Sequence, residues 1–183
     1  MADLKTIDKS WTLFLDRDGV INNEKHMNYV NKWDEFKFFP GVKEAIKKFS
    51  EKFGNIFIVT NQRGVAKGFT KLEDLEIIHK NLVEEVANAG GKITKVYYCC
   101  DMDDASQNRK PNPGMGLQAK KEFPEVDFSK SVMIGNTISD MEFGRNLGVA
   151  KNIFIPSTHP HLGVQHPTVD MVFPDLLSVS KAL

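Results

Sequence analysis

The feature that most constrains this chain is an alternation of short apolar runs with longer segments whose apolar residues recur at helical spacing. Buried strands are predicted for the apolar runs at residues 11–15, 56–60, 93–99, 132–135 and 153–155. Amphipathic helices are predicted at residues 40–53, 72–89, 113–123 and 139–146, and a short strand near 171–173 and a helix after Pro174 follow. Such alternation is typical of a parallel sheet with helices on both faces. We therefore expect a single Rossmann-like α/β domain over residues 1–183.

The composition describes a globular protein without a global charge. Among 183 residues, 24 basic and 24 acidic side chains cancel, so no overall field recruits nucleic acid or an anionic membrane. No apolar run is long enough to span a bilayer, and the N-terminus lacks the pattern of a signal peptide. The two cysteines, Cys99 and Cys100, are adjacent and seldom pair at that spacing. We expect a cytoplasmic protein with no membrane partner, and the oligomeric state stays open.

Two carboxylates, Asp16 and Asp18, follow the first predicted strand directly, and Gly19 then breaks it. The carboxyl end of a central strand is where open α/β sheets bind ligands. Like charges this close repel each other unless a cation or a shared proton relieves them, and Mg²⁺ prefers such hard oxygen ligands. Alone, the motif also fits an ordinary turn, because Asp and Gly are common turn residues.

Three further polar segments follow other predicted strands. The segment at 59–68 offers a hydroxyl, an amide and exposed backbone N–H groups that suit phosphate oxygens. The segment at 109–114 places Lys110 before a proline-fixed turn, where it could neutralise a phosphoryl group. The segment at 134–140 is an oxygen-rich turn that ends at Asp140. Each also fits a solvated turn or a helix cap, but their joint order at successive strand ends favours a single site.

This order resembles the four motifs of the haloacid dehalogenase superfamily of phosphohydrolases, over residues 11–155. Within it, the segments DRDGVIN at 16–22, TNQRGVAKG at 60–68 and RKPNPGM at 109–115 are similar to those of the histidinol-phosphatase and heptose-bisphosphate phosphatase group. The form of the second segment is more similar to the heptose-bisphosphate branch. The resemblance implies a Mg²⁺-dependent phosphatase that forms an aspartyl-phosphate intermediate.

The resemblance also implies roles for individual residues. Asp16 would be the nucleophile and Asp18 the acid and base, while Thr60 and Lys110 would hold the phosphoryl group and balance its charge. Contacts to the substrate are expected from Asn61, Gln62, Arg63 and Arg109. Ligands to Mg²⁺ are expected from Asp16, Asp18, Asn136 and Asp140.

Two departures from the family pattern affect the expected metals. Asn136 stands where the family usually has aspartate, so the site should hold Mg²⁺ less tightly, and Asp140 could compensate directly or through water. Relatives often hold a structural zinc in the loop after the third strand. Here that loop, residues 99–108, keeps only Cys99 of the usual four ligands, and we expect no structural zinc.

We expect no separate cap domain, because neither interval that carries caps in the superfamily has room for one. The loops at 22–34 and 99–108 would then shape an open cleft, to which His26 could contribute a substrate contact. His79 is expected at the surface or edge of its helix, and His159, His161 and His166 are expected to bind nothing.

The substrate expected from the resemblance is a small phosphorylated metabolite, with D-glycero-D-manno-heptose 1,7-bisphosphate favoured and histidinol phosphate next. A 3′-phosphatase of nucleic-acid ends is an alternative that the neutral charge disfavours. A further alternative is a catalytically weak phosphate-binding protein.

Overall fold

The computed structural model describes residues 4–24, 29–158 and 165–183. His26, His159 and His161 lie outside these ranges, and the predictions for them stay predictions. The described strands form one parallel sheet in the order β3-β2-β1-β4-β5-β6. They are β1 (Thr12–Leu15), β2 (Asn55–Asn61), β3 (Lys95–Cys99), β4 (Ser131–Gly135), β5 (Lys151–Phe154) and β6 (Met171–Val172).

Helices cover both faces of this sheet, which confirms the predicted fold class. They are α1 (Val42–Lys52), α2 (Arg63–Ala66), α3 (Leu72–Asn88), α4 (Gly114–Glu122), α5 (Ile138–Leu147) and α6 (Leu176–Ala182). Because side chains alternate along a strand, β1 supplies both cores. Leu13 and Leu15 join the core beneath α1, α3 and α6, whereas Phe14 joins the core beneath α4 and α5. Among the described helices, none is long and apolar enough to cross a membrane.

The register of the central strands brings the predicted motifs together. Leu15, the last residue of β1, is paired with Ile58 on one side and Ile134 on the other. Asp16 continues the ladder by donating its N–H to the Ile134 carbonyl, at 2.9 Å. The residues that follow β1, β2 and β4 therefore emerge side by side at the carboxyl edge of the sheet.

Several boundaries differ from the prediction for local reasons. β3 begins at Lys95 rather than residue 93, because the Thr94 hydroxyl accepts the Ile56 N–H in place of a backbone group. β5 begins at Lys151 rather than 153. The buried Asn152 amide donates to the Met141 carbonyl of α5 and to the Thr168 carbonyl, so a polar residue can lie near the start of this strand. The segment after β2 contains the short helix α2, where a turn was predicted.

The connections that could carry a cap hold only small elements in the described residues. Between β1 and α1 lies a 3-10 turn at Trp33–Glu35, and the connection from β2 to β3 is formed by α2 and α3. The pocket at the carboxyl edge is therefore bordered by loops and helix ends.

Candidate active site

The residues predicted for catalysis meet in one pocket of about 260 Å³ at the carboxyl edge of the sheet. Its lining includes most of the residues predicted from the four segments: Asp16, Asp18, Thr60, Asn61, Gln62, Arg109, Lys110, Asn136 and Asp140. Of the predicted site residues, Arg63 lies outside this lining. The long-range convergence of separate chain segments follows from the parallel register described above.

One side of the pocket is built around the ammonium group of Lys110. Its Nζ lies 2.7 Å from Asp16 Oδ1 and 2.6 Å from Asp140 Oδ1, and it also donates to the Val59 carbonyl at 2.7 Å. Two carboxylates share this single buried cation. Burial, with the Asp140 charge next, raises the pKa of Asp16 to about 7. Burial lowers the pKa of Lys110, but the charges of Asp140 and Asp16 outweigh it and leave that pKa above its ordinary value.

Asp140 also organises the loop that precedes α5. Its Oδ2 accepts from the backbone N–H groups of Asn136 and Thr137, at 3.1 and 3.0 Å, and from the Thr137 hydroxyl. Thr137 in turn accepts from the Asp140 N–H, which completes a capping box. Both carboxylate oxygens of Asp140 are thus engaged by protein groups, so a direct metal contact by Asp140 remains a prediction.

On the other side of the pocket, three side chains hold the Asp18 carboxylate by four hydrogen bonds. Arg17 Nη2 donates to Oδ1 and Oδ2 at 3.0 and 2.9 Å, Asn22 donates to Oδ1 at 2.9 Å, and Gln62 donates to Oδ2 at 2.8 Å. Burial raises the pKa of Asp18, but the Arg17 charge and these hydrogen bonds outweigh it and hold the pKa below its ordinary value. Asp18 is therefore an ionised group of fixed orientation at the pocket wall.

Oxygen atoms that suit Mg²⁺ converge beside the nucleophile. One terminal atom of the Asn136 amide lies 3.1 Å from the Asp18 carbonyl oxygen and 3.2 Å from Asp16 Oδ2. As nitrogen it would donate to both. As oxygen it lies 3.1 and 3.2 Å from two further oxygens, a spacing that matches adjacent ligands around an octahedral Mg²⁺, while the amide nitrogen donates to Thr158 Oγ1 at 2.8 Å. The residues present therefore fit Mg²⁺, with one fewer negative charge than an aspartate would give.

A glycine is required against this amide. Gly19 has a left-handed φ of 82°, and a Cβ added there would lie 2.0 Å from Asn136 Nδ2. The absence of a side chain at Gly19 therefore leaves space for the Asn136 amide.

The two predicted amide contacts to substrate are engaged inside the protein. Asn61 donates to the Lys110 carbonyl and accepts from the Lys110 N–H, both at 3.1 Å, which fixes the loop that carries the lysine. Gln62 donates to Asp18 and, at 2.9 Å, to the Thr60 hydroxyl. These bonds position catalytic groups, and direct substrate contact by either amide remains a prediction.

Arg63 and Arg109 share the exposed carboxylate of Asp104 at the rim of the pocket. Arg109 Nε lies 3.1 Å from Asp104 Oδ1, and Arg63 Nη2 pairs with the same oxygen. Arg109 Nη1 and Arg63 Nε are buried and have no hydrogen-bond partner among the described residues. The rim therefore carries two cations against one carboxylate.

The sequence did not reveal the partners of Arg17. This side chain is buried, and its Nη1 lies 3.0 Å from His79 Nε2 on α3. The expectation that His79 lies at a surface or edge is wrong, because it shares the apolar face of α3 with Leu75, Ile78 and Leu82 and is buried with them. The sequence did contain a sign of this burial, because the helical spacing places His79 on the same face as the apolar residues of α3.

The loop after β3 has little in common with a zinc site. Cys99 is buried, Cys100 is half-buried and both are free, and burial raises the pKa of each thiol. In the part of the chain that is described, no three side chains of His, Cys, Asp or Glu are arranged to hold a metal ion. The absence of a structural zinc stays a prediction.

Comparisons with known proteins extend over most of the chain. The family model of the polynucleotide kinase 3 phosphatases matches residues 12–160. A D-glycero-alpha-D-manno-heptose-1,7-bisphosphate 7-phosphatase from Campylobacter jejuni is 39% identical, covering 80% of this chain and 83% of the relative. A D-glycero-beta-D-manno-heptose-1,7-bisphosphate 7-phosphatase from Pseudomonas aeruginosa is 35% identical, covering 93% of this chain and 96% of the relative.

A solved structure agrees with these sequence matches. The D,D-heptose 1,7-bisphosphate phosphatase from B. bronchiseptica, complexed with magnesium and phosphate, is similar to this chain with a TM-score of 0.83 and 25% identity. The similarity covers 93% of this chain and 96% of that one. Sequence and structure comparisons therefore lead to the same group of proteins.

Proposed function

Because the chain belongs to the haloacid dehalogenase superfamily of phosphatases, in the group that contains the heptose 1,7-bisphosphate 7-phosphatases, we propose that it hydrolyses the 7-phosphate of D-glycero-D-manno-heptose 1,7-bisphosphate. The observation that carries the proposal is the Asp16–Lys110–Asp140 arrangement beside Asp18 in a single pocket. It combines a nucleophile, a cation for the phosphoryl oxygens and a separately held acid. One matched relative is named for the alpha anomer and another for the beta anomer, so the anomer must be determined by experiment.

The proposed reaction has two steps at phosphorus. Asp16 Oδ1 attacks, a bond from this oxygen to phosphorus forms, and the bond from phosphorus to the sugar oxygen breaks. Asp18, whose carboxylate is ionised in the free enzyme, takes up a proton from water before this step and gives it to the leaving sugar oxygen. Water then attacks the aspartyl phosphate, Asp18 takes a proton from the water, and Asp16 is released with inorganic phosphate. Lys110 stays beside Asp16 Oδ1 throughout and offsets the negative charge of the phosphoryl oxygens.

We assign the Mg²⁺ ligands of this chain to Asp16 Oδ2, the Asp18 carbonyl oxygen and Asn136 Oδ1, on the spacing of these atoms. When bound there, the ion supplies positive charge that draws the phosphate dianion toward two carboxylates that would otherwise repel it. In this assignment Asp140 acts by holding Lys110 and the 136–137 backbone.

The two arginines at the rim support a substrate with a second phosphate. Arg109 lines the pocket, and together with Arg63 it has more positive charge than Asp104 neutralises. Guanidinium groups bind phosphate through parallel hydrogen bonds. We propose that they hold the phosphate that is not hydrolysed, which would separate a bisphosphate from a monophosphate.

The matched family model names a second class of substrate, the 3′-phosphorylated end of a nucleic acid. Among the described residues the rim carries two arginines, and the chain has no net charge. Both observations argue for the smaller substrate, because nucleic-acid affinity rests on many phosphate contacts. The free cysteines also fit a reducing compartment, and we place the protein in the cytoplasm as part of the proposal.

Turnover of four substrates tests the proposal: both anomers of the heptose bisphosphate, histidinol phosphate and a 3′-phosphorylated oligonucleotide, each with Mg²⁺ and with a chelator. We expect kcat/KM to be highest for one bisphosphate anomer and to vanish with the chelator. A preference for the oligonucleotide would replace the proposed substrate. Full activity in the presence of chelator would contradict the role assigned to Mg²⁺.

A further inference from the structure

Beneath the pocket, a buried guanidinium connects the Asp18 carboxylate to a helix on the face of the sheet. Arg17 is 1% exposed and donates through Nη2 to both oxygens of Asp18 and, at 3.2 Å, to Gln62 Oε1. Its other terminal nitrogen, Nη1, contacts His79 Nε2 at 3.0 Å. The chain of contacts runs from α3 through Arg17 to the wall of the pocket.

In its contact with Arg17, His79 can act only as a hydrogen-bond acceptor. A guanidinium has N–H donors and no acceptor, so the contact requires a lone pair on His79 Nε2 and a proton on Nδ1. Burial, with the Arg17 charge next, lowers the pKa of His79 to about 3, which keeps the ring neutral. The ring is packed against Tyr98 on β3, with centroids 5.2 Å apart, and this contact limits its rotation.

Geometry explains why both ends of the guanidinium matter. The group is planar, so anchoring Nη1 fixes the plane in which Nη2 is presented to Asp18. Without the His79 acceptor, Nη1 would be a buried donor with no partner, a cost that moves the side chain toward water. Because Nη2 is bonded to both oxygens of Asp18, a displaced Arg17 would shift the Asp18 carboxylate with it.

We infer that Arg17 and His79 are positioning residues that aim the Asp18 carboxylate at the leaving oxygen of the substrate. The inference rests on the proposed function, in which Asp18 gives that oxygen its proton. It assigns a role to a residue of α3 that does not line the pocket. If this is so, loss of the His79 acceptor slows cleavage most for substrates whose leaving group must be protonated.

Two variants at position 79 distinguish an effect on the orientation of Asp18 from an effect on the stability of the fold. His79→Gln places an acceptor oxygen near the position of Nε2, whereas His79→Leu has similar bulk and offers none. Each is assayed on p-nitrophenyl phosphate, whose leaving group departs without a proton, and on glycerol 3-phosphate or the heptose bisphosphate, whose alkoxide needs one. Asp18→Asn, measured on the same pairs, defines the full loss of acid catalysis. Thermal unfolding shows that each variant is folded.

The constant compared is kcat/KM, because it covers the steps through departure of the leaving group and excludes the later hydrolysis of the aspartyl phosphate, which both esters share. We expect His79→Leu to lower kcat/KM at least about tenfold on the alkyl phosphate and less than about twofold on the nitrophenyl ester. His79→Gln should restore the wild-type ratio of the two rates. If His79→Leu does not fold, Arg17→Lys, which keeps the charge and loses the forked geometry, should show the same selective loss.

Two results would overturn the inference in distinguishable ways. Equal losses of kcat/KM on both esters in His79→Leu, with a selective loss in Asp18→Asn, would leave the proposed reaction standing and reduce His79 to a packing residue. Equal losses of kcat/KM on both esters in Asp18→Asn would remove Asp18 as the acid, and the proposed mechanism would fall together with the inference.

Discussion

The two sides of the pocket each contain a buried cation, but they balance charge differently. On the nucleophile side, Lys110 faces two carboxylates, Asp16 and Asp140. On the acid side, Arg17 faces one carboxylate, Asp18, and its remaining contacts are to neutral groups. The first side thus carries an excess negative charge and the second does not.

This difference explains the opposite pKa shifts of two carboxylates that are only two residues apart. Burial and the second carboxylate raise the pKa of Asp16 to about 7, whereas the Arg17 charge overcomes burial and lowers the pKa of Asp18. A surplus of negative charge around converging oxygens is what a divalent cation requires. The surplus charge on the side of Asp16 supports the proposed Mg²⁺ site there, with Asp18 proposed for proton transfer.

The largest effect should come from removing the cation of the nucleophile side. Lys110→Met leaves Asp16 and Asp140 buried with no ammonium group between them, and we expect turnover to fall by about 10³-fold or more. Breaking a buried ion pair in this way should also cost about 3–5 kcal/mol in the free energy of unfolding. Steady-state kinetics and urea unfolding measure the two losses.

Lys95→Met is the matched control, because Lys95 pairs with Glu122 at the surface. Its cost should be about 1 kcal/mol or less, with unchanged turnover. Similar losses in the two lysine variants would contradict the assignment of Lys110.

On the acid side, the burial of His79 should make the free energy of unfolding depend on pH. The pKa of His79 falls from 6.5 in the unfolded chain to about 3 in the folded protein. Between these values the unfolded state binds more protons, so the contribution of His79 to stability is complete above about pH 6.5 and is lost as the pH falls toward 3. We expect this loss to be on the order of a few kcal/mol.

Urea unfolding of the wild type and His79→Gln, at several pH values between 7 and about 4, checks this prediction. The variant should lose less stability than the wild type over the acidic part of this range. Parallel curves would mean that His79 titrates alike in both states, contrary to its burial against Arg17.

A smaller effect should follow from adding charge where the ion is expected. Asn136→Asp gives the nucleophile side a further carboxylate, and we expect the apparent Kd for Mg²⁺ in activity titrations to fall about tenfold. Asn136→Ala removes the amide oxygen and should raise the same constant. No change in either variant would show that Asn136 does not contact the ion.

The smallest expected effect lies at the rim. Asp104→Asn releases Arg63 and Arg109 from an exposed carboxylate, so KM for a bisphosphate should fall about two- to fivefold, while KM for a monophosphate should not change. Asp103→Asn is the neighbouring control, because Asp103 accepts from the Ala105 N–H in the same loop. Equal shifts for both kinds of substrate would argue against a second phosphate at the arginines.

Much of the fold and the location of the site could be predicted from local patterns. The buried strands are continuous apolar runs, and the residues that follow β1, β2 and β4 are polar, which is enough to place them at one sheet edge. The roles of Asp16, Asp18, Thr60 and Lys110 came from a resemblance of motifs, and the structure brings all four residues into the pocket.

What could not be predicted depends on partners that are far apart in the sequence. Arg17 and His79 are 62 residues apart, and Asn61 and Lys110 are 49 apart. No local pattern predicts that the guanidinium that follows β1 points inward, or that a histidine on α3 accepts its hydrogen bond. The bonds of Asn61 to Lys110 and of Gln62 to Asp18 were likewise not evident from the sequence, and the predicted contact of these two amides with substrate stays a prediction.

The most direct test of the central claim is to trap the phosphoryl group on Asp16. Asp18→Asn should slow the hydrolysis of the aspartyl phosphate, so rapid acid quenching of that variant with ³²P-labelled substrate should leave label on the protein. We expect the label on Asp16, released by mild alkali as an acyl phosphate is, and none in a variant that also carries Asp16→Asn. Label on another residue, or steady turnover with Asp16 replaced, would contradict the account.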